Sequence, residues 1–140
     1  MARGDEYSSA EGVARGGYVL KEASDKPRLI LIASGSEVAL ALDAAAKLEE
    51  DNVPTRVVSM PCMEWFDEQD VEYRESVLPK DVKAKVSIEA GIAMGWGKYV
   101  GDAGASINIE CFGASAAEAK CFEEYGFTVE NVIKTARSVL

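Results

Sequence analysis

Histidine is missing from all 140 residues of the sequence. That excludes Ser-His-Asp and Cys-His nucleophile systems, and metal centres ligated by imidazole. Proton transfer near neutral pH is left to a carboxylate, cysteine or lysine with a shifted pKa. Cysteine is scarce: Cys62, Cys111 and Cys121 are odd in number and show no C-x-x-C spacing. Neither a disulfide framework nor a cysteine zinc site is expected, and a reducing cytoplasm fits best. Long apolar runs are lacking as well. The longest, such as Leu29–Ala33, span five residues, against the ~20 that a membrane helix needs. Residues 1–10 carry Asp5 and Glu6 and no apolar signal-peptide core. Basic residues are the minority, 15 Lys and Arg against 24 Asp and Glu, for a net charge of −9. This balance argues against nucleic acid and anionic membranes as partners.

What is present describes an ordinary globular chain, 48% hydrophobic and 28% charged. Residues 1–12 (MARGDEYSSAEG) are small, polar and aperiodic and read as a linker or tail, leaving 13–140 as one domain. From there strands alternate with helices. Residues 17–21 form a short strand candidate after a double glycine. Residues 28–34 (RLILIAS) are continuously apolar, as in a strand buried on both faces of a parallel sheet. Further strands are expected over 55–60, 84–90 and 106–110. A helix from Glu37 to about Asp51 is apolar round most of its circumference. Ser34 with Glu37 has capping-box spacing, and Ser36 competes as N-cap. Ser115 and Glu118 repeat that spacing, and Gly126 suits a left-handed helix stop. Thr128 then caps a last helix, with Phe127 and Val132 as a hydrophobic staple and Val129, Val132, Ile133, Ala136, Val139 and Leu140 on one face. Such alternation implies an α/β layer fold, and the first strand, with no crossover helix before it, is expected as an antiparallel edge.

One stretch narrows the identity further. Residues 56–79, RVVSMPCMEWFDEQDVEYRESVLP, leave a strand, turn at Pro61, cross a short acidic aromatic helix and stop at Pro79. The segment closely resembles one inside the third, C-terminal domain of transketolases. Ala14-Arg15-Gly16-Gly17-Tyr18-Val19-Leu20 and Ala33-Ser34-Gly35-Ser36-Glu37-Val38 resemble the same domain, the latter close to its A-T-G-S-E-V. Glu89-Ala90-Gly91, Gly95-Trp96, Tyr99-Val100-Gly101, Phe112-Gly113-Ala114-Ser115-Ala116 and Tyr125-Gly126-Phe127-Thr128 follow in family order. The likeness covers almost everything from Ala14 onward. Ala117 stands where the family commonly has proline, Asn108 replaces a frequent glycine, and Cys111 occupies a variable position.

The resemblance implies an α/β/α sandwich on a five-stranded mixed sheet, four strands parallel and the first antiparallel at the edge. It also implies membership of an enzyme that moves a two-carbon ketol unit from a ketose phosphate to an aldose phosphate in the pentose phosphate pathway. The cofactor of that enzyme is thiamine diphosphate, held with a divalent metal (magnesium or calcium) between the first two domains of a homodimer. No catalytic, cofactor or metal residue of the family falls on this chain. The expected role is dimer support and scaffolding, with partners in the remaining domains and the second subunit. A free-standing nucleotide- or anion-binding α/β domain is the alternative.

Two residue sets are candidates for sites. The loops at 34–36, 61–62, 89–91 and 112–115 should meet at one end of the sheet, where α/β ligands bind by default. A regulatory anion pocket there would use Ser34, Gly35, Ser36, Cys62, Gly91, Phe112 and Gly113, although a plain helix cap is the favoured reading of Ser34 to Ser36. Trp65, Trp96 and Tyr99 are candidates for interdomain packing, or for core. The acidic set Glu64, Asp67, Glu68, Asp70, Glu72 and Glu75 lacks calcium-loop order and reads as a solvated helix face.

Overall fold

A computed structural model describes residues 10–89, 95–108 and 128–140. Its sheet is ordered β1-β3-β2-β4-β5, formed by β1 Tyr18–Lys21, β2 Leu29–Ala33, β3 Thr55–Ser59, β4 Lys85–Glu89 and β5 Ala105–Asn108. β1 pairs antiparallel with β3 at the edge, and every other pairing is parallel. The expected mixed sheet and its antiparallel edge are therefore both present.

The apolar run of β2 faces two cores because strand side chains alternate between faces. Leu29, Leu31 and Ala33 point to one core, and Ile30 and Ile32 to the other. All five are fully buried, which the central position of β2 demands. The first core is closed by helix α1 (Glu37–Glu50), through Val38, Ala41, Leu42, Ala45 and Leu48, and by the C-terminal helix α5 (Val129–Val139), through Val132 and Ala136. The second is closed by α2 (Met63–Asp67), α3 (Val71–Val77) and α4 (Gly97–Val100), through Phe66, Val77, Trp96, Tyr99 and Val100. This is the helix–sheet–helix sandwich expected from the alternating pattern. No helix among the described residues is long and apolar enough to cross a membrane.

Local chemistry sets the ends of these elements. Asn52, at φ 63°, takes the left-handed conformation just past α1, a position that Asn tolerates. Thr128 caps α5 as expected, its side chain accepting a hydrogen bond from the Asn131 amide at 3.2 Å. The acidic aromatic segment, expected as one short helix, is two. Asp70 adopts an extended backbone, and its carboxylate takes the Tyr73 amide at 2.7 Å, so a second helix starts there. Arg56 on β3 then ties α3 to the sheet. Its guanidinium donates to the Ser76 and Val77 carbonyls and grips Glu22 at 2.8 and 3.0 Å.

The capping box at Ser34 does not form. Ser36 stands at the cap position in helical geometry and makes no side-chain cap; its hydroxyl donates to Glu37 instead. Ser34 donates across the sheet to Glu89, because β2 and β4 pair in a register that ends with Ala33 opposite Ile88. The second capping box at Ser115 and Glu118, the Gly126 stop, Phe127, Cys111, Cys121 and Ala117 lie outside the described residues.

Candidate functional site

The connection after β2 leaves toward the face of α1, whereas that after β4 leads to α4 on the opposite face. The sheet therefore has its topological switch point at the C-terminal ends of β2 and β4, where open α/β sheets form their ligand crevice. Ser34 follows β2, and Glu89 ends β4. Their hydrogen bond spans that crevice. Glu37 is buried beside it, 4% exposed, with one carboxylate oxygen held by Ser36. The amides of a strand-to-helix turn are thus accompanied by two carboxylates, and the Ser34 hydroxyl is already engaged.

Cys62 comes to the same end of the sheet. Met60 donates its amide to Ala33 at 2.9 Å, which places the turn at Pro61 and Cys62 next to the end of β2. The thiol is half-buried and hydrogen-bonds the Glu64 carboxylate at 3.4 Å, a neighbour that does not stabilise a thiolate. Of the seven pocket candidates, Ser34, Gly35, Ser36 and Cys62 lie at this end, and Gly91, Phe112 and Gly113 fall outside the described residues.

The aromatic candidates divide. Trp96 and Tyr99 are 2% and 7% exposed and pack edge-to-face at 5.9 Å; Phe66 meets Tyr99 at the same distance, within the range such pairs favour. Trp65, on the outer side of α2, is half exposed. The Tyr99 hydroxyl donates to Asp67 at 2.8 Å, and Lys98 donates to the other oxygen of that carboxylate at 2.5 Å. Burial, reinforced by the Asp67 carboxylate, pushes the Tyr99 phenol up to about 12. Partial burial pushes Asp67 upward, but the hydrogen bonds from Lys98 and Tyr99 outweigh it and hold the carboxyl below its usual range. Asp67 is therefore a strut between α2 and α4 rather than a member of a free acidic face.

Thiamine diphosphate and its metal find no fit in this arrangement. Among the described residues no three His, Cys, Asp or Glu side chains converge as metal ligands. The crevice at the switch point presents the Glu37 and Glu89 carboxylates where a diphosphate would need cations or open amides.

Comparison with known proteins agrees with this picture. A profile of the transketolase-like TK C-terminal domain matches residues 16–128. "Transketolase 1" of Vibrio vulnificus (strain YJ016) is 56% identical over 128 residues, 91% of this chain but 19% of that protein. The structure of a transketolase from Leishmania mexicana superposes with a TM-score of 0.85 at 44% identity, covering 94% of this chain and 19% of that one. A split-gene transketolase described as an inactive beta4 tetramer gives a TM-score of 0.69 at 25% identity, covering 91% of this chain and 43% of that one. The chain thus spans about a fifth of the length of the curated relatives it matches. Its ordered motifs, its mixed five-stranded sheet and these likenesses together place it in the transketolase-like C-terminal domain family.

Proposed function

We propose that this chain is the non-catalytic third domain of a thiamine diphosphate-dependent transketolase, the enzyme that passes a two-carbon ketol unit between sugar phosphates in the pentose phosphate pathway of the cytoplasm. Its contribution is structural: it supports the homodimer and braces the domains that hold the cofactor with its divalent metal. The observation that carries this reading is the pairing of a near-complete match along this chain with coverage of only about a fifth of the curated relatives. The sequence-wide lack of histidine supports it, since no imidazole is present for acid–base work or metal ligation. The split-gene tetramer described as inactive contains the counterpart of this domain, in keeping with chemistry that resides elsewhere.

The surface offered to the rest of the enzyme includes the half-exposed Trp65 ring and, at the start of α3, the still more exposed Val71. Apolar groups of this size on α2 and α3 suit an interdomain contact. The test is direct. The 140-residue chain, incubated with thiamine diphosphate and magnesium, should show no binding heat and no ketol transfer. Added to a transketolase truncated before its third domain, it should raise the dimer fraction seen by sedimentation, and Trp65→Glu should abolish that gain. Micromolar cofactor binding by the chain alone would overturn the assignment, as would a failure of the intact chain to raise the dimer fraction.

A further inference from the structure

At the end of the sheet opposite the switch point, a cleft of about 710 Å³ opens between α3 and α4. It is within the size range of small-molecule sites. Its floor exists because β4 alternates. Val86 and Ile88 face the α1 core, so Lys85 and Ser87 face the α2–α4 side, and apolar packing does not fill the sheet there. Five basic and three acidic side chains line the cleft, in a chain whose net charge is −9.

The carboxylates do not balance the cations. Asp67 is taken by Lys98, and Glu75 by Lys80 at 3.0 Å, which leaves Asp102 as the one further lining carboxylate against Arg74, Lys83 and Lys85. The Arg74 guanidinium has the Gln69 carbonyl at 3.1 Å as its hydrogen-bond partner. Lys83 is exposed and makes no ion pair among the described residues. Lys85 is 7% exposed, and its ammonium donates to the Val82 carbonyl at 2.6 Å without a carboxylate in ion-pair distance among the described residues. An ammonium carries three donors, and a buried one lacking a counter-ion is costly. Burial, and then the charge of Lys83, lower the Lys85 pKa; Asp81 acts weakly the other way, being itself paired with Lys26.

We propose that this cleft binds a small phosphate monoester, whose dianion is held by Lys83, Lys85 and Arg74 while its organic body lies on Leu78 and Val100. A dianion supplies the counter-charge the lysine pair lacks and the acceptors their donors leave open. The apolar wall and the volume of the cleft favour a sugar or nucleoside body over a bare inorganic anion. This site is distinct from the loops at 34–36 and 61–62, and it does not depend on the scaffolding role.

The experiment is a titration of the isotope-labelled 140-residue chain with inorganic phosphate, ribose 5-phosphate and AMP at constant ionic strength, with ribose and adenosine as uncharged controls. Saturable amide shifts are expected at Lys83, Lys85, Gly101 and Asp102 for the two esters, tighter than for inorganic phosphate. The stronger of the two esters identifies the body. Lys83→Gln should weaken binding ~tenfold, the usual effect of losing a charged hydrogen bond, and Lys85→Met should abolish it. Lys83 is exposed and makes no ion pair among the described residues, so its variant keeps the fold and carries the test even if the Lys85 variant does not. Absence of saturable shifts at millimolar ligand, equal affinity of Lys83→Gln and the parent chain, or equal shifts with ribose would each overturn the proposal. Such outcomes would leave the dimerisation test above unaffected.

Discussion

Replacing Gly16 with alanine should be the most damaging glycine-to-alanine change among the described residues. Gly16 sits at φ 82°, a left-handed conformation that costs an L-residue ~1–2 kcal/mol. A Cβ there would stand 2.3 Å from the Cys62 carbonyl oxygen, 2.3 Å from the Phe66 amide nitrogen and 2.8 Å from the Trp65 carbonyl carbon. These are backbone atoms of α2 and its approach, so no side-chain rotation relieves the clash, and overpacking of this kind adds ~1–3 kcal/mol. The displacement would also pull on the bond from the Cys62 amide to the Gly16 carbonyl (2.9 Å) and on that from the Tyr73 hydroxyl to the Gly17 carbonyl (2.7 Å). Together the loss is ~2–5 kcal/mol, a large part of the ~5–15 kcal/mol of a typical domain. The melting temperature should fall by roughly 10–20 °C. Gly97 is the control: it opens α4, has no positive φ, and nothing lies within 4 Å of its Cβ position. Alanine there should stabilise by ~0.5–1 kcal/mol, through the lower entropy of the unfolded chain and a better helix residue. Urea unfolding of both variants with hydrogen exchange of β1 gives the answer. A Gly16→Ala protein as stable as Gly97→Ala would refute the reasoning.

Asp70→Ala removes the cap that starts α3 and should cost ~1 kcal/mol in urea unfolding, whereas Asp70→Asn should keep most of it; equal loss in both would assign the effect to charge. Tyr99 gives an alkaline signature: burial and the Asp67 carboxylate raise its phenol from the ordinary 10.0 to about 12, so the folded state holds a proton that the unfolded chain releases. Its contribution is full below pH 10 and is lost as the pH rises through that window, on the order of 2 kcal/mol. Tyr99→Phe should flatten the fall in stability between pH 10 and 12, and an unchanged slope would sink the assignment.

The fold was readable where burial leaves a one-dimensional trace. The unbroken apolar run at Leu29–Ala33 marks the strand with cores on both sides, and the largely apolar circumference of α1 and the periodic face of α5 mark helices of the layer that covers one of them. Thr128 was readable because its partner lies three residues away. Ser34 was misread because its partner Glu89 lies 55 residues away, and a helix cap loses to a carboxylate brought alongside by strand register. The break between α2 and α3 had a visible signal, Asp70 three residues before Tyr73, obscured within a run of acidic residues that reads as one solvated face.

The site lessons run the other way. A general rule about strand ends led to Ser34 and Cys62, and the structure furnishes that end with Glu37, Glu64 and Glu89. The cationic end carried a readable mark, the polar alternation of Lys85, Ser87 and Glu89 in an expected strand with Lys80 and Lys83 just before it, yet Arg74 of α3 and Lys98 of α4 join them only in three dimensions. Net charge was a poor guide to it. A total of −9 governs long-range encounter, but at physiological salt each charge is screened beyond ~8 Å. Inside the cleft the field is set by the five cations that line it and by three carboxylates, two of them already paired with lysines. An acidic protein can therefore hold an anion where its few basic residues gather, and Lys85 is buried at a point where an ammonium gains most from one.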